Sequence, residues 1–125
     1  MVVDILVADD DPAIREMFKD LPPKGSRVKT FEDGKQLVDY YSQNRCCALI
    51  VTDKGMPVGG LVAIQDIRRF DRDVEIWMMS GDRDVEAMRT LALSVGANRY
   101  YEKPLPVQFF EDIEDFIQDY EVKQR

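Results

Sequence analysis

Charged residues follow three apolar runs of the chain, at the points where those runs end. An acidic triplet, residues 9–11, comes after the first run, Asp53 ends the second, and Lys103 comes just after the third. If the runs are neighbouring parallel strands, their ends meet at one edge of a sheet, where several carboxylates face an ammonium group. Such a cluster suits a divalent cation and a phosphoryl group.

The elements that must position these residues alternate between strand-like and helix-like patterns. Runs rich in apolar and β-branched residues predict strands at residues 2–8, 28–31, 48–52, 75–79 and 99–101. Apolar residues at helical spacing follow each run. The alternation predicts an α/β fold made of five βα units around one doubly wound, five-stranded parallel sheet.

Local signals mark where two of the helices begin or end. Asp11, followed by a proline, is typical of a helix N-cap, and Gly96 is typical of the residue after a helix. Leu21 and Leu91 continue the apolar faces of the first and fourth helices, so both are expected in the core. Residues 121–125 are expected to form a frayed tail.

Length, charge and composition limit the class of protein. The 125 residues, 45% of them hydrophobic, are enough for one core, so a single domain over residues 1–125 is expected. A net charge of −7 predicts no direct binding of nucleic acid. No run reaches the ~18 apolar residues of a membrane span and no signal-peptide pattern opens the chain, which predicts a cytoplasmic protein without membrane contact.

The two cysteines, Cys46 and Cys47, are adjacent and precede an apolar run. They are expected to be reduced and partly buried, because adjacent residues cannot join distant parts of a fold. Redox sensing or binding of a soft metal is the alternative, but the chain has no further cysteine and no histidine to complete a tetrahedral site.

Taken in order, these segments resemble the receiver domain of two-component response regulators over essentially the whole chain. The matching stretches are residues 5–12 (ILVADDDP), 53–57 (DKGMP), 80–81 (SG) and 96–97 (GA), with Tyr100 and Lys103-Pro104. The resemblance implies a flavodoxin-like fold with strand order 2-1-3-4-5. It also implies a phosphorylation-controlled signalling switch, not a turnover enzyme, although such a domain assists its own phosphorylation and dephosphorylation.

Within this resemblance, the acidic residues are expected to bind Mg²⁺, with Mn²⁺ as the alternative ion. Carboxylates held ~4 Å apart repel each other by about 1 to 4 kcal/mol per pair, and a cation relieves that repulsion. Mg²⁺ takes six oxygen ligands and keeps several waters. We expect Asp10, Asp53 and the backbone carbonyl of Gly55 to bind it directly, and Asp9 to act through a water.

Asp53 is the expected phosphoacceptor, because a carboxylate can attack a phosphorus atom held in line with its leaving group. The resemblance implies that the donor is a histidine kinase or a phosphotransfer protein. Lys103 would place its ammonium group on the phosphoryl oxygens. The Lys103-Pro104 pair resembles the Lys-Pro pair of the family, whose peptide bond is cis.

Ser80 and Tyr100 are the expected switch residues. The Ser80 hydroxyl can donate to a phosphoryl oxygen once its loop moves, and Tyr100 matches the family's aromatic residue that changes rotamer with it. The resemblance then implies an altered surface on the fourth helix, fifth strand and fifth helix. That surface would meet a downstream protein or the chain's own output domain, although none is visible in these residues. The protein is expected to be a monomer or a phosphorylation-dependent dimer.

The wide apolar stripe of the last helix, residues 106–120, offers a specific contact surface. Phe110 and Ile117 lie at the margin of that stripe. They are expected either to contact the partner or to extend the core.

Two features of the loop after Asp53 depart from the family pattern. Gly60 stands where the family usually has an aspartate or asparagine helix cap, and glycine is an acceptable cap. Lys54 adds an uncommon positive charge directly after Asp53. It either faces away from the site or tunes the phosphoryl chemistry.

Two other hypotheses remain open from the sequence. One is a degenerate receiver that serves only as an interaction scaffold, which the altered loop favours. The other is a Mg²⁺-dependent phosphohydrolase of the haloacid-dehalogenase kind, with Asp9 as nucleophile and Asp11 as acid. The threonine or valine expected after Asp11 is missing, because Pro12 stands there.

Overall fold

Strands and helices alternate along the whole of the described chain, residues 1–124 of the computed structural model. Their bounds are β1 Val3–Ala8, α1 Pro12–Asp20, β2 Ser26–Phe31, α2 Gly34–Gln43, β3 Leu49–Asp53, α3 Gly60–Phe70, β4 Glu75–Ser80, α4 Val85–Val95, β5 Arg99–Glu102 and α5 Val107–Lys123. Among residues 1–124, no helix combines the length and apolar character needed to cross a membrane.

The five strands form one parallel sheet in the order β2-β1-β3-β4-β5. This confirms the predicted α/β class, the doubly wound topology and the strand order. All carboxyl ends lie at one edge: Asp53 at the end of β3 pairs with Met79, and Ser80 at the end of β4 pairs with Glu102. The chain order of the strands therefore brings the predicted site residues to the same edge.

Each face of the sheet carries its own apolar core, because successive strand residues point to opposite faces. On one face Leu6, Ile50 and Met78 pack with the buried residues of α2, α3 and α4. On the other face Val7, Val51 and Trp77 pack with those of α1 and α5. Both faces are thus covered, as a parallel sheet requires.

The predicted helix ends of α1 and α4 are confirmed, but two predicted core residues are wrong. Asp11 caps α1, and Gly96 follows α4 with φ of +116°. Leu21 is 78% exposed, because α1 ends at Asp20 and Leu21 has left the helical backbone conformation. Leu91 is 42% exposed on the outer side of α4, where Met88 and Ala92 are the buried residues.

The N-cap of α3 is Gly59, and not Gly60 as predicted. Gly60 is the first residue of that helix and lies against the end of β3: a Cβ atom there would come within 2.5 Å of the Asp53 carbonyl oxygen. The glycine therefore allows the first turn of α3 to pack directly against the end of β3, where Asp53 lies.

Two further predictions concern the chain ends and the cysteines. Helix α5 continues to Lys123, so most of the predicted tail is helical, and Arg125 lies outside the described residues. Cys46 and Cys47 are free, as predicted, but the predicted partial burial is correct only for Cys47, because Cys46 is exposed. Burial raises the pKa of the Cys47 thiol to about 12, which keeps it protonated at neutral pH.

Candidate functional site

Three carboxylates and one ammonium group meet at the carboxyl edge of the sheet. The side chains of Asp9, Asp10 and Asp53 each place an oxygen within 4.8 Å of the others. Lys103 Nζ lies 2.7 Å from Asp9 Oδ2 and 3.0 Å from Asp53 Oδ1. We call these four residues the carboxyl-end site.

The local backbone explains how each of these side chains is held. Asp9 directly follows β1 and Asp53 ends β3, so both carboxylates start from adjacent buried strands. The Lys103 N–H donates to the Ser80 carbonyl oxygen at 2.8 Å, which fixes Lys103 against the end of β4. The Lys103-Pro104 peptide bond is cis, as predicted.

Asp9 is the most firmly held member of the site. Its side chain is fully buried, and its Oδ1 accepts a hydrogen bond of 2.9 Å from the Asp11 N–H. Arg15 Nη1 donates to the Asp9 carbonyl oxygen at 2.9 Å, a contact that the sequence did not suggest. Asp9 is therefore a fixed charge that orients Lys103, whereas Asp10 is exposed.

The electrostatics of the site oppose a negative charge on Asp53. Burial and the neighbouring Asp9 carboxylate raise the pKa of Asp53, and Lys103 offsets only part of this effect. Burial alone would lower the pKa of Lys103, but its hydrogen bonds to Asp9 and Asp53 outweigh burial and raise it. The site thus combines a permanent ammonium group with an excess of carboxylates.

This donor set fits a divalent cation such as Mg²⁺. Carboxylate oxygens are the ligands that Mg²⁺ prefers, and an added positive charge would offset the repulsion felt by Asp53. Gly55 lies against that carboxylate, since a Cβ atom built on it would come 3.6 Å from Asp53 Oδ2. The role of the Gly55 carbonyl stays a prediction.

Ser80 lies at the same edge, at the end of β4, and is 2% exposed. Its hydroxyl oxygen accepts a hydrogen bond of 3.0 Å from the Asp82 N–H. The Asp82 carboxylate in turn lies 3.0 Å from Lys54 Nζ. Sequence reasoning did not find this ion pair, because its members are 28 residues apart and belong to different loops.

Tyr100 is buried, with 8% of its surface exposed. Its hydroxyl is also buried and has no hydrogen-bond partner among residues 1–124. The Arg89 guanidinium lies over its ring at 5.9 Å from the centroid. Together with Lys103 and Gln108, these residues line a groove of about 530 Å³ between α4, β5 and α5. The change of rotamer expected for Tyr100 stays a prediction.

Of the two roles predicted for Ile117, partner contact or extension of the core, the structure supports the core. Ile117 is 3% exposed and belongs to the core, because it lies on the same side of α5 as Phe109 and Ile113. Phe110 is half-buried and packs on the Phe18 and Phe109 rings at 6.5 and 5.1 Å between centroids. The apolar stripe of α5 thus mainly covers the sheet.

All four residues of the carboxyl-end site lie within the part of the chain that matches a known protein family. The family described as "Response regulator receiver domain" matches residues 5–114. The response regulator MprA of Mycobacterium tuberculosis (strain ATCC 25177 / H37Ra) is 34% identical over 110 residues, which are 86% of this chain and 47% of MprA. The chain thus spans about half the length of the curated relatives that it matches.

Solved structures share the fold at lower sequence identity. A response regulator receiver domain protein from Clostridium thermocellum has a TM-score of 0.83 at 24% identity, covering 97% of this chain and 98% of that one. The chemotaxis response regulator CheY4 of Vibrio cholerae has a TM-score of 0.81 at 23% identity, covering 94% of this chain and 99% of that one.

Proposed function

Because this chain belongs to the response regulator receiver domain family, whose members are signalling domains and not turnover enzymes, we propose that Asp53 is its phosphoacceptor. The single observation that carries this proposal is the convergence of Asp9, Asp10 and Asp53 with Lys103 at the carboxyl edge of the sheet. The proposed donor is the phosphohistidine of a histidine kinase or of a phosphotransfer protein.

In the proposed transfer, a carboxylate oxygen of Asp53 forms a bond to phosphorus while the bond between phosphorus and the donor nitrogen breaks. The electron pair of that bond stays with the leaving imidazole, and Asp53 becomes an acyl phosphate. Asp53 suits this role because it is 6% exposed, whereas Asp9 is completely buried. The raised pKa of Asp53 reflects a carboxylate that its surroundings leave incompletely compensated.

Lys103 and Asp9 have separate parts in this proposal. Lys103 Nζ already lies 3.0 Å from Asp53 Oδ1, so its charge is in place to stabilise the transferred phosphoryl oxygens. Asp9 holds the ammonium group there through a 2.7 Å contact to its Oδ2. Removal of Asp9 would therefore take away one of the two carboxylates that hold the Lys103 ammonium group and leave its contact with Asp53.

Asp10 and Asp53, with the Gly55 carbonyl, are the proposed direct ligands of Mg²⁺, and Asp9 would act through a water. Bound there, Mg²⁺ would supply positive charge that offsets the charge on the transferring phosphoryl oxygens. The supporting observation is the excess of carboxylates over cations in the site.

The proposed output is a change at α4, β5 and α5. The Ser80 hydroxyl would donate to a phosphoryl oxygen on Asp53, and the loop after β4 would follow it. Tyr100 is placed to respond, since it is buried on the adjacent strand with its hydroxyl unsatisfied among the described residues. A partner that prefers one of the two states would then read the change.

The proposed context is that of a two-component system. We propose a single receiver domain over residues 1–125 that works in the cytoplasm and does not itself bind nucleic acid. Its target is either a separate protein or an output domain of the same chain, and its oligomeric state is either a monomer or a dimer formed on phosphorylation.

Intact-mass spectrometry after incubation with acetyl phosphate and Mg²⁺ tests the proposal. We expect one added phosphoryl group on the wild-type protein and none on an Asp53→Ala variant. Asp20→Ala is the matched control, because Asp20 is an exposed aspartate at the far end of α1. If Asp53→Ala still gains the phosphoryl group, another residue is the acceptor.

Stabilisation by Mg²⁺ bears on the scaffold hypothesis, and the contacts of Asp9 and Asp11 bear on the phosphohydrolase hypothesis. A scaffold would show no stabilisation by Mg²⁺, whereas binding at ~10 times the dissociation constant adds about 1.4 kcal/mol to the free energy of unfolding. A phosphohydrolase would use Asp9 as nucleophile, but its oxygens are engaged by Lys103 and the Asp11 N–H, while Asp11 itself caps α1. These contacts favour Asp53.

A further inference from the structure

An ion pair beside the carboxyl-end site has no part in the proposed transfer. Lys54 Nζ lies 3.0 Å from Asp82 Oδ2, with the two side chains 34% and 36% exposed. Lys54 directly follows Asp53, and Asp82 comes two residues after Ser80. The pair therefore connects the loop that follows the proposed phosphoacceptor to the loop that follows the proposed switch hydroxyl.

The backbone of Lys54 is the fixed side of this pair. Its N–H donates to the Met79 carbonyl oxygen at 2.9 Å, which extends the pairing of β3 with β4 by one residue. Its carbonyl oxygen accepts from the Gly60 N–H at 3.3 Å, at the start of α3. The lysine backbone is thus tied to both the sheet and a helix.

Asp82 is the partner that moves if the switch moves. Its N–H donates to Ser80 Oγ at 3.0 Å, and its Oδ1 accepts from the Asp84 N–H at 3.2 Å. Asp84 is the N-cap of α4 and accepts from the Ala87 N–H. Residues 80–84 therefore form one hydrogen-bonded turn, which the Lys54 ammonium group holds through the Asp82 carboxylate.

We infer that the Lys54–Asp82 ion pair is a latch that holds the turn of residues 80–84 in its unphosphorylated position, so that both residues act as positioning residues for Ser80. The inference rests on the proposed function. For the Ser80 hydroxyl to follow a phosphoryl group on Asp53, the turn must shift, and that shift pulls Asp82 away from an anchored Lys54.

Phosphorylation itself would weaken the latch. A phosphoryl group adds about −1.5 to −2 charge, here on the residue that precedes Lys54. That charge attracts the Lys54 ammonium group and repels the Asp82 carboxylate. The ion pair is therefore strongest before phosphoryl transfer and weakest after it, as a latch requires.

A latch and simple electrostatics predict different signs for the same substitutions. If Lys54 and Asp82 acted only through their charges, Lys54→Met would weaken the binding of a phosphoryl-like anion, and Asp82→Asn would strengthen it. If they form a latch, both substitutions release the turn and both strengthen binding. The sign pattern therefore distinguishes the latch from a general field effect.

The experiment is a titration of ¹⁵N-labelled protein with beryllofluoride in the presence of Mg²⁺, followed through the amide signals of residues 80–84. We expect Lys54→Met and Asp82→Asn each to raise the affinity ~2- to 5-fold, the range that a half-exposed ion pair supports. The double variant should gain no more than the larger single effect. Lys54→Arg keeps the cation and should bind as the wild type does.

Affinities that are unchanged, that fall in both single variants, or that move in opposite directions overturn the latch. If the wild-type protein binds beryllofluoride normally in that case, the proposed function stands without the latch. If the wild type neither binds beryllofluoride nor accepts a phosphoryl group from acetyl phosphate, the proposed function fails, and the latch fails with it. Both half-exposed side chains can be replaced without opening the core, so folding is expected in every variant.

Discussion

The two ends of the sheet shift the pKa of an aspartate in opposite directions. At the carboxyl-end site, three carboxylates share one ammonium group, and the pKa of Asp53 is raised by burial and by Asp9. At the other end, Arg68, Asp71, Asn98 and Tyr41 form what we call the amino-end network. Burial would raise the pKa of Asp71 too, but hydrogen bonds from the Tyr41 hydroxyl and from backbone N–H groups lower it.

The contacts of the amino-end network explain this difference. Asp71 accepts from the Tyr41 hydroxyl at 2.6 Å and from the backbone N–H groups of Asp73 and Val74 at 2.8 and 3.2 Å. Asn98 Oδ1 accepts from the Ile76 N–H at 2.9 Å, so it links β4 to the residue that precedes β5. Here the fold provides each polar group with partners, whereas the carboxyl-end site keeps an excess of negative charge.

This fold separates stability from function in space. A site that is to bind a cation and accept a phosphoryl group must leave charge uncompensated until its ligand arrives. The amino ends of the strands carry no such requirement and can be fully paired. Substitutions at the two ends should therefore have opposite effects on stability.

The largest expected effect is the loss of Arg68. Its Nε, Nη2 and Nη1 donate to the Gly96 carbonyl oxygen at 2.9 Å, to Asn98 Oδ1 at 3.1 Å and to the Asp71 carbonyl oxygen at 3.3 Å. Because hydrogen bonds from charged groups contribute strongly, Arg68→Ala should lower the free energy of unfolding by ~2 to 3 kcal/mol in urea denaturation. Phosphorylation by acetyl phosphate should continue under conditions where the variant is folded.

Arg69→Ala is the matched control for Arg68. Its side chain is 81% exposed and lies 3.6 Å from Asp66 on the same helix, so its loss should change stability by less than ~0.5 kcal/mol. Equal effects of the two substitutions would show that the amino-end network is not a special source of stability.

A smaller effect of opposite sign is expected at Asp53. Asp53→Asn removes a charge that burial and Asp9 oppose, so it should raise the free energy of unfolding by ~1 kcal/mol at pH 7 without Mg²⁺. Asp71→Asn removes a charge that hydrogen bonds favour and should lower it. Urea denaturation of both variants beside the wild type measures the two signs, and equal signs would contradict the comparison.

The pH dependence of these two effects should also differ. The folded protein holds a proton on Asp53 more tightly than the unfolded chain does, so the advantage of Asp53→Asn should shrink as the pH falls through the raised pKa towards ~3.9. The lowered pKa of Asp71 stabilises the fold above ~3.9, and this contribution is lost as the pH falls through the folded-state pKa. Denaturation series from pH 7 to below ~3 would follow both changes, because the Asp71 contribution is lost only below ~3.9.

The smallest expected effects distinguish two buried tyrosines. Tyr41→Phe removes the hydroxyl that donates to Asp71 and should cost about 1 kcal/mol. Tyr100→Phe removes a buried hydroxyl without a partner among residues 1–124, so stability should stay level or rise slightly. A clear loss of stability in Tyr100→Phe would indicate that its hydroxyl is satisfied in solution.

The sequence was most informative where chemistry depends on residues next to strand ends. Asp9, Asp53 and Lys103 could be placed together because parallel strands end at a common edge, and the structure brings them within hydrogen-bond distance. The family resemblance supplied the strand order, which apolar patterns do not contain. Leu21 and Leu91 were misplaced because helical spacing alone does not say where a helix ends or how wide its buried face is.

Two other contacts between residues that are distant in the chain left no signal in the sequence. Lys54 and Asp82 are ordinary surface residue types 28 positions apart, and only the pairing of β3 with β4 brings their loops side by side. Arg68 on α3 and Asn98 before β5 are likewise far apart in the chain, at 30 positions. Side chains of this kind can face solvent or contact each other, and the fold of the backbone between them determines which of the two occurs.

By itself, the sequence determined the alternation of strands and helices, the residue types at the strand ends and hence the kind of chemistry that one edge of the sheet can support. These properties are local, since each follows from short-range spacing and from the residue that ends a run. The tertiary structure alone decided which carboxylate is fully buried, which hydroxyl lacks a partner among residues 1–124 and which lysine joins two loops. Burial and pairing depend on neighbours that are distant in the chain, and the packed sheet is what brings those neighbours together.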